Sequence, residues 1–129
     1  MDKKTFVDLK PGDIVYKACI YDYKTRINEK KIKKVVNKGT TVTIYCECKD
    51  SEYYQNFYPA VPIDSQLHLD KYCPNSYLCI DIENAKIACR QLANEMVSKT
   101  EKEITKLTQR LNKWNLHVKE LYDGNYIIK

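Results

Sequence analysis

Apolar positions recur at two different periods along this chain, and the change of period divides it. From Ile14 to Ile80 the apolar residues alternate with polar ones in short runs, as half-buried strands require. Ile14 to Ile20 puts Ile14, Tyr16, Ala18 and Ile20 on one face and Val15, Lys17 and Cys19 on the other. Ile27 to Val36 fits strand or helix, and strand is preferred because Asn37-Lys38-Gly39 closes it with a turn. Thr40 to Cys48 then alternates, with Val42, Ile44, Cys46 and Cys48 on one face and Tyr45 on the other. Tyr53 to Tyr58 is an aromatic strand ended by Pro59 and Pro62. Residues 59–75 read as irregular, and Ser76 to Ile80 as one more short strand. Met1 to Lys10 is a lead-in or a short helical turn, and Pro11-Gly12-Asp13 is the turn that opens the first strand.

From Asp81 to Asn115 there is neither glycine nor proline, and the period becomes helical. Ile82, Ala85, Cys89, Leu92 and Met96 form one stripe. Val97, Thr100, Ile104, Leu107, Leu111 and Trp114 form a second, one residue out of phase. Asp81 stands at the N-cap with Glu83 in the first turn. Ser98 and Thr100 each begin an S/T-x-x-E pattern, so a bend or break is expected near residues 97–100, unless a second copy covers an unbroken helix. After Trp114, Asp123-Gly124 between two strand-like runs predicts a terminal hairpin. The expected fold is α+β: one domain over 1–129, with a small, strongly bent β-barrel over 9–80, a long bent helix over 81–115 and a β-hairpin over 116–129.

Two motifs add a family to this picture. Lys10-Pro11-Gly12-Asp13-Ile14-Val15-Tyr16 resembles the opening of small SH3-like or KOW-type barrel proteins of Firmicute phages and mobile elements. Ile80-Asp81-Ile82-Glu83-Asn84-Ala85 stands where those proteins carry the motif that caps and opens a C-terminal helix, although Asn84 departs from its second acidic position. The resemblance covers roughly residues 9–92. It implies an SH3-like barrel and carries over no active residue.

Charge changes the functional picture. The net +5 is the sum of +6 in residues 1–40 (eleven Lys/Arg, five Asp/Glu), −3 in 41–80 (two, five) and +2 in 81–129 (nine, seven). Lys30, Lys31, Lys33 and Lys34, with Lys24, Arg26, Tyr21 and Tyr23 nearby, combine the cations and aromatic faces that a nucleic-acid-binding barrel needs. The same lysines would also serve as a solvated strand edge that resists aggregation.

Candidate chemistry is sparse. Six cysteines without an export signal are expected to be reduced thiols of a cytoplasmic protein, and no apolar run is long enough for a membrane span. Cys46 and Cys48, or Cys73 and Cys79, invite a zinc- or cysteine-dependent alternative, but their spacings are poor for a zinc clamp. Ser65, His68, Asp70 and Cys73 share a loop without a recognisable catalytic signature. No enzyme activity, metal or cofactor is expected.

Eleven tyrosines are more than one barrel face can bury. Tyr53, Tyr54, Phe57, Tyr58, Leu107, Leu111 and Trp114 are therefore the expected partner-binding residues. The expected role is a non-enzymatic protein-interaction module, a phage or mobile-element accessory protein that binds and modulates a host or defence protein. A homodimer through the helix is a further expectation.

Overall fold

The structure is a computed structural model, and residues 4–47, 57–70 and 75–129 are described. The chain forms two compact units, Met1–Ala93 and Asn94–Lys129, and the division falls inside a helix. In chain order the elements are a 3-10 turn (Phe6–Asp8), β1 (Ile14–Tyr21), β2 (Lys24–Asn37), β3 (Thr41–Cys46), β4 (Phe57–Pro62), β5 (Leu67–Leu69), β6 (Ser76–Cys79) and α1 (Ile82–Tyr122).

The strands form a nearly closed six-stranded antiparallel barrel in the order β4-β3-β2-β1-β6-β5, which with α1 makes the fold α+β. Its start is set by Lys10-Pro11-Gly12-Asp13. The Asp13 N–H donates to the Lys10 carbonyl, and Gly12 takes φ +93°, a conformation open to glycine at no steric cost. The Gly12 and Ile32 amides then tie this turn to β2, each donating at 2.8 Å. At the other hairpin, the Asn37 side-chain oxygen accepts from the Gly39 N–H at 2.8 Å, and Gly39 has φ +94°.

β2 is the long element, shared by both halves of the barrel. Its first part pairs with β1 from Lys24↔Tyr21 to Lys31↔Ile14, and its second pairs with β3. The register shifts between Ile32 and Lys34, so Lys33 is a bulge residue where the strand bends. β4 continues through both prolines, against the expectation that they would end it. It is tolerated there because β4 lies at the edge of the strand order, where a missing N–H costs no ladder bond. β5, in the stretch expected to be irregular, pairs with β6 through Leu67↔Cys79 and Leu69↔Tyr77.

Two apolar clusters hold the first unit. Inside the barrel, Val15, Ile32, Val42, Ile44, Cys46, Tyr58, Val61 and Leu78 pack with Phe6 and Leu9 of the lead-in. The 3-10 turn is held by Phe6 and Val7 amides donating to Ser65 and Ile63 carbonyls, both at 3.1 Å, so the lead-in is part of the core. On the opposite face of β1, Ala18 packs with Cys79, Ala85 and Ala88 beneath the start of α1. Each face of β1 thus carries a fully buried residue, Val15 inside the barrel and Ala18 beneath the helix.

Asp81 caps α1 as expected: one carboxylate oxygen accepts from the Asn84 N–H at 2.8 Å and from the Asn84 side chain at 2.9 Å. The expected break does not occur, because α1 is one uninterrupted helix. The Thr100 hydroxyl donates to the Met96 carbonyl at 2.8 Å, the back-bond of a helix interior rather than a cap. The expected terminal hairpin is also corrected, since Leu116 to Tyr122 continue the helix. Gly124, at φ +89°, donates to Leu121, and Asn125 donates to Glu120, the paired bonds of a Schellman stop. Asp-Gly serves a helix end here.

Replacing Asp81 with Ala leaves the Asn84 amide without its capping acceptor and should cost about 1 kcal/mol. Leu92→Ala, at a fully packed position, should cost about 2–5 kcal/mol. Urea unfolding of the two variants checks both the sizes and their order.

Candidate interaction surfaces

In the second unit, α1 carries a row of large apolar side chains that are open to solvent. Val97, Ile104, Leu107 and Leu111 are each more than half exposed, and Trp114 is 65% exposed. The row does not stop at Trp114: Val118 is 46% exposed, and Leu121, partly buried, follows at the next step. The Trp114 and His117 rings meet edge to face at 6.1 Å, and His117 Nδ1 lies 3.7 Å from a Glu120 carboxylate oxygen. Leu107, Leu111 and Trp114 therefore lie on one accessible row, as the helical period predicted.

The four expected aromatic residues of the Tyr53–Tyr58 run separate. Tyr53 and Tyr54 lie outside the described residues. Tyr58 is 2% exposed and sits in the barrel core, so it is unavailable to a partner surface. Phe57 points outward, its ring stacked on Tyr45 at 5.7 Å between centroids. Strand alternation explains the split: Tyr58 opposes buried Ile44, whereas Phe57 opposes Tyr45 on the outer face.

The basic strand divides by the same rule. Lys34 opposes Tyr45, and its ammonium lies 5.6 Å from that ring's centroid. Lys31 and Lys33 are exposed beside buried Ile32. Lys30 opposes core residue Val15 and is half-buried, so it does not share the face of Lys31. A second cation and ring meet at the far end of the β1–β2 hairpin, where the Arg26 guanidinium lies 5.1 Å from the Tyr21 ring centroid. Lys34, Tyr45 and Phe57 form an aromatic and cationic patch to which Tyr45, absent from the residues singled out in advance, is central.

The candidate groups at Cys46, Cys79 and Ser65–Asp70 all belong to the first unit. Cys46 and Cys79 are buried, and Cys48 and Cys73 lie outside the described residues. Burial, with the neighbouring Cys89, pushes the Cys79 thiol up to about 12, so it stays protonated at neutral pH. The Ser65 hydroxyl donates to the Leu67 carbonyl within its own turn. Asp70, buried on β6's side of the barrel, lies 4.0 Å from the Lys17 ammonium. Among the described residues, no three His, Cys, Asp or Glu side chains come together to hold a metal ion. Among them, too, no helix is long and apolar enough to cross a membrane.

No protein-family model, curated protein or solved structure matches this chain.

Half-burial of His68 on β5 disfavours its charged form more than the nearby Asp70 carboxylate favours it, so the imidazole titrates below its ordinary value. The unfolded chain then binds more protons than the folded one as pH falls through about 6.5, and stability is lost over that fall. Urea midpoints measured down from about pH 7.5 should drop through about 6.5 less steeply in His68→Gln than in the parent.

Proposed function

We propose that this chain is a non-enzymatic protein-interaction module that binds through the apolar row of α1. The observation that carries the reading is the unbroken series of exposed Ile104, Leu107, Leu111 and Trp114 on a helix with no covering element in its own unit. An isolated surface helix is normally polar on its outer side, and a contiguous apolar row of this kind marks a contact surface. Trp114 supplies a large, rigid anchor of the type that dominates interface energetics. The SH3-like, phage-type character of the barrel belongs to the same proposal and rests on the motifs at Lys10–Tyr16 and Ile80–Ala85, while modulation of a host or defence protein rests on the surplus of aromatic residues and the long apolar helix.

Leu107→Asp with Leu111→Asp should leave barrel and helix folded, since both sites are exposed, yet abolish retention of any protein by the tagged chain. The supporting result is capture by the parent, from a mixture of its untagged copy and a host lysate, of a protein that the double variant loses. Equal capture by parent and variant, or no capture by either, overturns the reading.

A second reading, nucleic-acid binding by the barrel, is favoured by the Lys34–Tyr45–Phe57 patch, which sets a cation beside stacked rings. Exchanging Lys30, Lys31, Lys33 and Lys34 for Glu should then abolish binding to a labelled single-stranded oligonucleotide, and parental affinity should fall steeply with salt. Binding that is absent, or indifferent to salt, dismisses it.

A further inference from the structure

The row on α1 has a finer period than an ordinary amphipathic helix. Val97, Ile104, Leu111 and Val118 stand seven residues apart, and so do Thr100, Leu107, Trp114 and Leu121, three positions later. These are the a and d positions of a coiled coil, sustained from Val97 to Leu121 without a skip. A period of 3.5 keeps a seam straight along a supercoiled partner, whereas packing on a globular surface needs no such regularity. The whole seam lies in a helix that is continuous in the structure and stops at the Schellman turn just past Leu121.

The flanking charges choose the occupant and its direction. The g positions in the middle of the seam are Glu103 and Arg110, and the e positions beside them are Thr108 and Asn115. In a parallel pair, g faces the following e of the other chain, so Glu103 meets Thr108 and Arg110 meets Asn115, with no opposite charges opposed. In an antiparallel pair, g faces g and e faces e. When Ile104 of each copy is set against Leu107 of the other, Glu103 of each copy faces Arg110 of the other, twice by symmetry, and Glu101 faces Thr108. The same alignment sets Val97 against Trp114 and Thr100 against Leu111, so a bulkier and a smaller residue share each of these layers, and Val118 and Leu121 lie beyond them.

We propose that the apolar row of α1 is occupied by the same row of a second copy, as an antiparallel two-stranded coiled coil centred between Thr105 and Lys106. The inference rests on the protein-binding reading of the row and names its occupant. From the exposure of the seam residues, two copies would withdraw more than about 1,000 Å² from water, the size expected of a specific interface. The dimer carries two barrels in one particle, so a partner with repeated sites would be bound with avidity.

The full chain should sediment as a dimer from micromolar concentrations upward in analytical ultracentrifugation. Glu103→Arg and Arg110→Glu each place like charges opposite one another twice, and each should weaken the dimer about tenfold. Mixed in equal amounts, the two variants should recover parental affinity as a heterodimer, because every g–g contact again joins opposite charges. Both positions are exposed, and circular dichroism checks that the helix is kept. A monomer, a larger oligomer, or variants that dimerise as tightly as the parent overturn the proposal. A monomeric chain whose Leu107→Asp/Leu111→Asp variant loses a different protein would overturn this inference alone. A chain whose row variants lose no association would overturn the protein-binding reading with it.

Discussion

The first unit depends on β1 being covered on both faces. Val15 points into the barrel with Ile32, Ile44 and Leu78, while Ala18 points outward beneath Ala85 and Ala88 of the helix. A strand buried on both sides cannot slip by one residue without driving a side chain of the wrong size into one layer or the other. The small residues on the outer side matter as much as the large ones within. Ala18, Ala85 and Ala88 let a helix lie close to a sheet, and a larger residue at any of them would force the layers apart. Asp81 fixes where that helix begins, immediately after β6, so cap and packing specify the same start.

The helix is then longer than the apolar surface of its own unit can use. Leu92 is the last fully buried residue on it, and from Val97 to Trp114 its large apolar side chains are solvent-exposed. At 1.5 Å per residue, the portion from Asn94 to Tyr122 is about 40 Å long. A helix of this length gains little from propensity alone and normally draws its stability from an apolar face in contact with something. The phase change near Met96 therefore marks a change of surroundings, from packing on strands to exposure to solvent. The back-bonds of Thr100 to Met96 and of Thr105 to Glu101 keep the hydroxyls of this region within the helix rather than offering caps that would end it.

Three local signals misled for one shared reason. The capping-box pattern at Ser98 and Thr100, the Asp-Gly pair at 123–124 and the prolines at 59 and 62 are each compatible with two local structures. In every case the surroundings selected the second. Asp-Gly became a helix stop because the residues before it extend the seven-residue rhythm through Val118 and Leu121, a signal present in the sequence and cut short by the hairpin reading. The aromatic run failed differently. Alternation correctly implied that its members would divide between inside and outside, but which of Phe57 and Tyr58 faces the core depends on the register with Ile44 and Tyr45.

Alone, the sequence determined the elements governed by local chemistry: the glycine turns at 12 and 39, the β2–β3 hairpin, the Asp81 cap and the apolar row from Val97 to Trp114. These depend on backbone conformations and side-chain periods that neighbouring residues set without outside help. Only the tertiary structure decided that β1 is buried on both faces, that Phe6 completes the core, that Tyr45 and Lys34 share a patch and that Lys30 is excluded from it. Those outcomes turn on which residues far apart in the chain meet, and for the strand residues a shift of one position would reverse them.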